Sequence, residues 1–120
     1  MKERVKEIIK NWILRINKEE TLPKDIIALN FGMFEPYGIE LIGSKYYNSE
    51  DDDWACEEDF EPIERTCPEL NISKDMNWED VLDMIVDILK ELVSELDGIE
   101  IFKIKYITTG FSDSELVIIK

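Results

Sequence analysis

Histidine is absent from this chain. With it go histidine-based nucleophile triads, the commonest general base and most catalytic zinc sites. Cysteine is scarce: Cys56 and Cys67 are the only two, and their separation suits neither a redox Cys-x-x-Cys pair nor a zinc knuckle. They read as two buried thiols. Glycine is sparse as well. Gly43 and Gly110 stand alone, so neither a phosphate loop nor a dinucleotide fingerprint, each needing several glycines at fixed spacing before a helix, is present. Long apolar runs are missing too: the opening MKERVKEIIKNWIL carries a charge every two or three residues, where a signal peptide needs an unbroken apolar stretch. No later segment approaches membrane-spanning length. The expectation is a cytoplasmic protein without membrane association. Bases, finally, are outnumbered 14 to 28 by acids, for a formal charge of −14. Such a field repels nucleic acid phosphates and anionic lipid, and attracts cationic proteins.

Against these absences, 44% of the residues are apolar and the chain has 120 of them, enough to bury a core without disulfide or metal staples. One domain, residues 1–120, is expected. Val5, Ile9, Trp12 and Ile16 recur at spacings of four, three and four, one face of a helix that Pro23 closes. Leu29, Phe31 and Met33 alternate with Ala28, Asn30 and Gly32, the period of a strand. Glu35-Pro36-Tyr37-Gly38 reads as a turn, and Ile39 to Ser44 as the return strand, with Gly43 permitting a bulge or a close backbone approach. Residues 61–74, which contain Pro62 and Pro68, read as irregular. Asn77 can cap a second helix whose apolar stripe runs from Trp78 through Val81, Ile85, Leu89 and Leu92 to Leu96, ahead of Gly98. Phe102, Ile104 and Tyr106 alternate with lysines as a third strand, Thr108 to Ser114 reads as a turn, and Glu115 to Ile119 as a fourth strand. The order predicts an α+β fold: a mainly antiparallel sheet of about four strands with two main helices packed on it.

Charge is concentrated in the middle. Residues 25–72 hold 13 acids and 2 bases, and Asn48 to Pro62, NSEDDDWACEEDFEP, holds eight acids in fifteen residues. A calcium loop does not fit, because the ligand spacing, sixth-position glycine and twelfth-position glutamate of an EF-hand are missing. Carboxylate pairs for glycoside hydrolysis arise by chance among so many acids. No metal and no cofactor are expected. Disorder fits poorly with a tryptophan, a cysteine and a phenylalanine in the same window. Trp54 and Cys56, two residues apart, would share an inward face of an extended segment, with Asp53, Ala55 and Glu57 on the other. Two readings remain for the segment: a solvated loop pinned by anchors, or a binding surface made of Asp51, Asp52, Asp53, Glu57, Glu58, Asp59 and Glu61.

Asn30-Phe31-Gly32 with Glu35, Leu41-x-Gly43-Ser44, and Asp53-Trp54-Ala55-Cys56 with Asp59-Phe60 resemble small acidic immunity proteins encoded beside bacterial polymorphic toxins of the contact-dependent inhibition or Rhs kind. The resemblance spans residues 26–62, about a third of the chain. It implies a non-enzymatic protein whose partner is a cognate toxin domain; a strongly acidic inhibitor suits a cationic, nuclease-like one, whose cleft must attract phosphates. Such families share no catalytic residue, and toxin contacts are private to each pair, so the resemblance assigns no residue a role. Two other readings stay open: a small acidic enzyme or metal-binding protein working through carboxylates, and an acidic adaptor or nucleic-acid mimic that binds some other basic protein.

Overall fold

The computed structural model describes residues 1–120. Helix α1 spans Lys2–Glu19 and buries Val5, Ile9, Trp12, Ile13 and Ile16, the stripe expected from the spacing with Ile13 added. Strands β1 (Ala28–Phe34) and β2 (Gly38–Ser44) form an antiparallel hairpin in the register Phe31 to Leu41 and Met33 to Ile39. Helix α2 covers Trp78–Glu95, and the Asn77 side chain accepts the Glu79 N–H at 2.8 Å, with Glu79 and Asp80 in the first turn where the helix dipole favours them. Strands β3 (Tyr106–Phe111) and β4 (Val117–Ile118) complete a sheet ordered β2-β1-β3-β4. No helix is long and apolar enough to cross a membrane.

Two of the three strand pairings are antiparallel, as expected, and the third is parallel, so the sheet is mixed. Each hairpin pairs antiparallel, but the two join through their first strands, and β1 runs parallel to β3 with Leu29 opposite Ile107 and Gly32 opposite Gly110. The reason is the connection: the chain between β2 and β3 includes α2, a crossover long enough to bring β3 back in the direction of β1. A period of two reports which face a residue occupies and is silent about the direction of its neighbour.

The third strand also lies further along than expected. Glu100–Lys103 form a 3-10 turn that buries the adjacent Ile101 and Phe102 together, which an alternating strand facing one layer does not allow. Strand β3 then continues through Thr108 and Thr109, where a turn was expected. Both hydroxyls find partners in the sheet: Thr108 donates to Asn30 Oδ1 at 3.0 Å and Thr109 to the Phe31 carbonyl at 2.6 Å. The turn falls at Ser112 to Ser114 instead, where the Ser114 N–H donates to the Phe111 carbonyl.

The outer edge of β2 is covered by the segment after the acidic stretch. Gly43 exchanges two backbone hydrogen bonds with Phe60, at 2.8 and 3.1 Å, the Leu41 N–H donates to the Arg65 carbonyl, and the Cys67 N–H donates to the Ile39 carbonyl. Helix α1 clamps the same segment. The fully buried Trp12 indole donates to the Glu64 carbonyl at 2.7 Å, and Arg15 forks onto the Glu64 carboxylate at 3.0 and 2.9 Å. Arg15 holds the Glu64 carboxyl below its ordinary range.

Gly43 is the close approach. A Cβ there would lie 3.1 Å from Ile26 Cγ2 and 3.3 Å from both Leu29 and Phe60. Gly43→Ala is therefore expected to destabilise the fold by about 1–3 kcal/mol through overpacking, read from the urea midpoint. Gly32→Ala is the control, since its nearest contact would be 3.6 Å away and alanine suits a strand better than glycine. Equal effects at the two positions would contradict the packing described.

Candidate functional site

Strand alternation sends Leu29, Phe31, Met33, Ile39, Leu41, Ile107 and Phe111 into one apolar cluster with both helices. The opposite face carries Asn30, Gly32, Glu40, Ile42, Thr108 and Gly110, and no helix lies on it. The acidic segment covers it. Tyr47 stacks flat on Tyr106, with ring centroids 3.9 Å apart and planes 6° from parallel, and the Trp54 ring sits 5.3 Å from Tyr47. Trp54 is 5% exposed although acids crowd it in sequence.

The segment is not extended. Asp52–Cys56 form a 3-10 turn, with the Asp51 carboxylate accepting the Asp53 N–H at 2.8 Å as its cap. At three residues per turn, positions two apart point in different directions, so Trp54 goes in and Cys56 out. The expected shared inward face is thereby corrected, and so is the expectation of two buried thiols: Cys67 is buried and Cys56 is exposed. Burial pushes the Cys67 thiol up to about 12.

All seven predicted acids are exposed, and five of them also hold the protein together. Asp51 caps the turn. Asp52 accepts the Leu116 N–H at 3.2 Å, tying the segment to the second hairpin. Asp59 accepts the Lys45 N–H at 2.8 Å at the end of β2. Glu58 and Glu61 both take hydrogen bonds from Arg65, which also reaches Glu40 at 3.3 Å. These three carboxylates, Glu58 foremost, raise the already high pKa of Arg65 and fix its charge. Asp53 and Glu57 take no part in these contacts and face water. No group of three or more Asp, Glu or Cys side chains is placed to hold a metal ion.

Between the segment and the sheet lies a pit of about 280 Å³. Its floor is the pair Gly32 and Gly110, opposite each other on β1 and β3, where neither strand presents a side chain. Ile42, Ala55 and Leu116 supply apolar wall, and Glu40, Asp52, Glu58, Arg65 and Cys56 supply the polar rim. Asn30, 9% exposed, borders it. Its Oδ1 accepts from Thr108, while Nδ2 has no acceptor in the protein and stands 3.6 Å from where a Gly32 Cβ would be. Sequence reasoning missed Arg65, Asn30 and Tyr47 as parts of this face. For Arg65 a signal existed, because it is one of only two bases in residues 25–72.

No known protein family, curated protein sequence or solved structure matches this chain.

Two measurements check the geometry. Trp54→Ala is expected to cost about 3–5 kcal/mol, the range for removing a buried aromatic ring, in a chemical denaturation series; a variant as stable as the parent would place the ring at the surface. The two thiols should also behave differently. Native protein at neutral pH should take up one equivalent of maleimide, at Cys56, and denatured protein two. As pH rises past the ordinary 9.0, the Cys67 thiol ionises in the unfolded chain but stays protonated in the fold until about 12. The unfolded state then binds fewer protons, so stability falls across that window. Cys67→Ala should flatten that part of the alkaline slope.

Proposed function

We propose that this protein is a cytoplasmic, non-enzymatic immunity protein that binds and neutralises a cationic toxin domain, nuclease-like in its charge, through the acidic face built by residues 51–61. The observation that carries the reading is the pinning of that segment. Trp54 and Tyr47 anchor it, Asp51, Asp52 and Asp59 tie it to backbone N–H groups, and Arg65 gathers Glu58 and Glu61, while all of the carboxylates stay at the surface. A fixed array of charges has lost its conformational freedom during folding and loses little more on binding. The net charge of −14 adds long-range attraction for a basic partner and repulsion of nucleic acid.

The direct test is protection. The toxin-like domain encoded by the adjacent reading frame, expressed in cells, should arrest growth alone and not when this protein is co-expressed, and the two should co-purify. An adjacent frame whose product neither harms the cell nor binds would sink the reading.

The two acids free of internal contacts separate steering from holding. Asp53→Asn with Glu57→Gln should slow association and flatten its dependence on salt, because exposed charges act through a field screened over ~8–10 Å at physiological ionic strength. Dissociation and melting temperature should hardly change. Glu58→Gln, which also loosens Arg65, should act on dissociation instead. Stopped-flow association at several salt concentrations distinguishes them, and equal, salt-independent behaviour of both variants would show that the acidic face lies outside the interface.

A further inference from the structure

At the carboxyl ends of the parallel pair β1 and β3, three aromatic rings from three parts of the chain meet. Phe111 closes β3 and is almost wholly buried. It lies edge-to-face with Tyr37 of the first hairpin turn, ring centroids 6.2 Å apart, and with Trp78, the first residue of α2, at 5.9 Å and 87°. The Tyr37 hydroxyl donates to the Met76 carbonyl at 2.6 Å, which ties the hairpin turn to the start of the helix. Trp78 heads the apolar stripe of α2, yet the fold leaves it 42% exposed. A cleft of about 160 Å³ is lined by Trp78, Phe111, Glu35, Asp113 and Ser114. Both carboxylates are exposed, and neither takes a hydrogen bond or an ion pair from within the protein. No base lines the cleft. It therefore repels anions, and the start of α2 offers them no site, since Asn77 caps it and Glu79 and Asp80 occupy its first turn. A purely apolar side chain would desolvate two carboxylates and pair neither. A bare metal ion would find too few oxygen ligands. An organic cation uses every wall, the aromatic surface for its body and charge and the carboxylates for its donors.

We infer that this cleft docks one arginine side chain of a protein partner, its guanidinium laid against the Trp78 indole and its N–H groups directed to Glu35 and Asp113. Arginine fits better than lysine because the planar guanidinium both stacks on an aromatic ring and forks onto carboxylates. A protein partner fits better than a free small molecule because the cleft is open and well below the ~300–1,000 Å³ of pockets that enclose a ligand. A side chain carried by a partner needs only its tip received. The rings are already held by one another and by the Tyr37 hydrogen bond, so little order has to be gained on binding. The inference rests on the reading above only for the partner's positive charge. It adds a contact outside residues 51–61 that joins charge to an exposed tryptophan, a side chain that often dominates the energy of an interface.

The decisive experiment follows the Trp78 indole N–H and the Asp113 and Ser114 amides by ¹⁵N NMR during titration with N-acetyl-arginine amide, N-acetyl-citrulline amide and tetramethylammonium, at constant, physiological ionic strength. The arginine probe should give a saturable shift at these signals. The citrulline probe, which keeps the shape and loses the charge, should bind at least about fivefold more weakly. Trp78→Leu, read at Asp113 and Ser114, should weaken the arginine probe about two- to fivefold, the contribution of an exposed cation–π contact. Glu35→Gln with Asp113→Asn, both at exposed positions, should weaken it at least about threefold in a protein whose melting temperature is unchanged; should Trp78→Leu fail to fold, this variant and the citrulline probe decide the matter. No saturable shift, equal binding of the citrulline probe, an affinity that either folded variant leaves unchanged, or shifts as large along Asp51 to Asp59 as at the cleft would each overturn the inference. Tighter binding of tetramethylammonium than of the arginine probe would overturn it too, in favour of a site for a small quaternary ammonium ion. None of those outcomes bears on whether a toxin domain binds the acidic face, and a failure of the protection test leaves the probe result standing.

Discussion

A four-stranded sheet has two faces, and this chain has helices for only one of them. Both α1 and α2 belong to the cluster on the Leu29, Phe31 and Ile107 side, so the Asn30, Ile42 and Thr108 side has to be covered by something else or left wet. That constraint explains why tryptophan and tyrosine sit inside the most acidic part of the sequence. Trp54 and Tyr47 close the second face against Tyr106, and the acids between them turn outward because a cover one turn thick has water on its other side. The cover is thin enough to leave the pit, and its composition makes the pit negative.

The distribution of bases follows from the same arrangement. The first 24 residues hold seven of the chain's 14 bases, and four of them are engaged internally. Lys2 and Lys6 pair with Glu91, Lys6 also with Glu95, Arg4 donates to the Leu70 and Asn71 carbonyls, and Arg15 holds Glu64. Exposed pairs of this kind contribute little stability each, about 0–1 kcal/mol. Their larger consequence is directional: the positive end of the chain is folded against α2 and the edge segment, and the negative middle third is left to face the solvent. Arg65 is the exception that proves useful, since one cation among Glu40, Glu58 and Glu61 offsets the repulsion that would otherwise spread the segment.

How much of this could be read from the sequence depends on what each signal reports. Periodicity gave the buried face of α1, the alternation of β1 and the stripe of α2, because those are properties of one element seen by itself. The tight passage at Gly43 was legible for the same reason. Parallel pairing of β1 with β3 was not, since alternation is identical for either direction. Thr108 and Thr109 looked like a turn because their hydroxyls suit one, and only the Asn30 side chain and the Phe31 carbonyl, distant in sequence, make them strand residues. The Trp54 and Cys56 spacing was read with the wrong period: two residues apart means one face in a strand and different faces in a 3-10 turn. The seven acids were found by composition, while Asn30, Arg65 and the facing glycines, which give the face its shape, carry no local mark of being together.

Those glycines bear on why the second face is built as it is. Gly32 and Gly110 lie side by side in adjacent strands, each forfeiting the cross-strand packing that normally stabilises a sheet, on the order of 0.2–1 kcal/mol per pair, along with the backbone entropy that glycine loses on folding. At Gly110 the backbone asks for it, with φ near +159° and the Glu115 carbonyl 3.2 Å from any added Cβ. At Gly32 nothing in the fold does: φ is ordinary, and an added Cβ would meet Asn30 and Glu40 only at ordinary contact distance, 3.6 and 3.7 Å. Alanine has room there and suits a strand better than glycine. The pit beside Asn30 is roofed by a segment that five carboxylates, an arginine and two aromatic rings keep in position, and any side chain at Gly32 would narrow it.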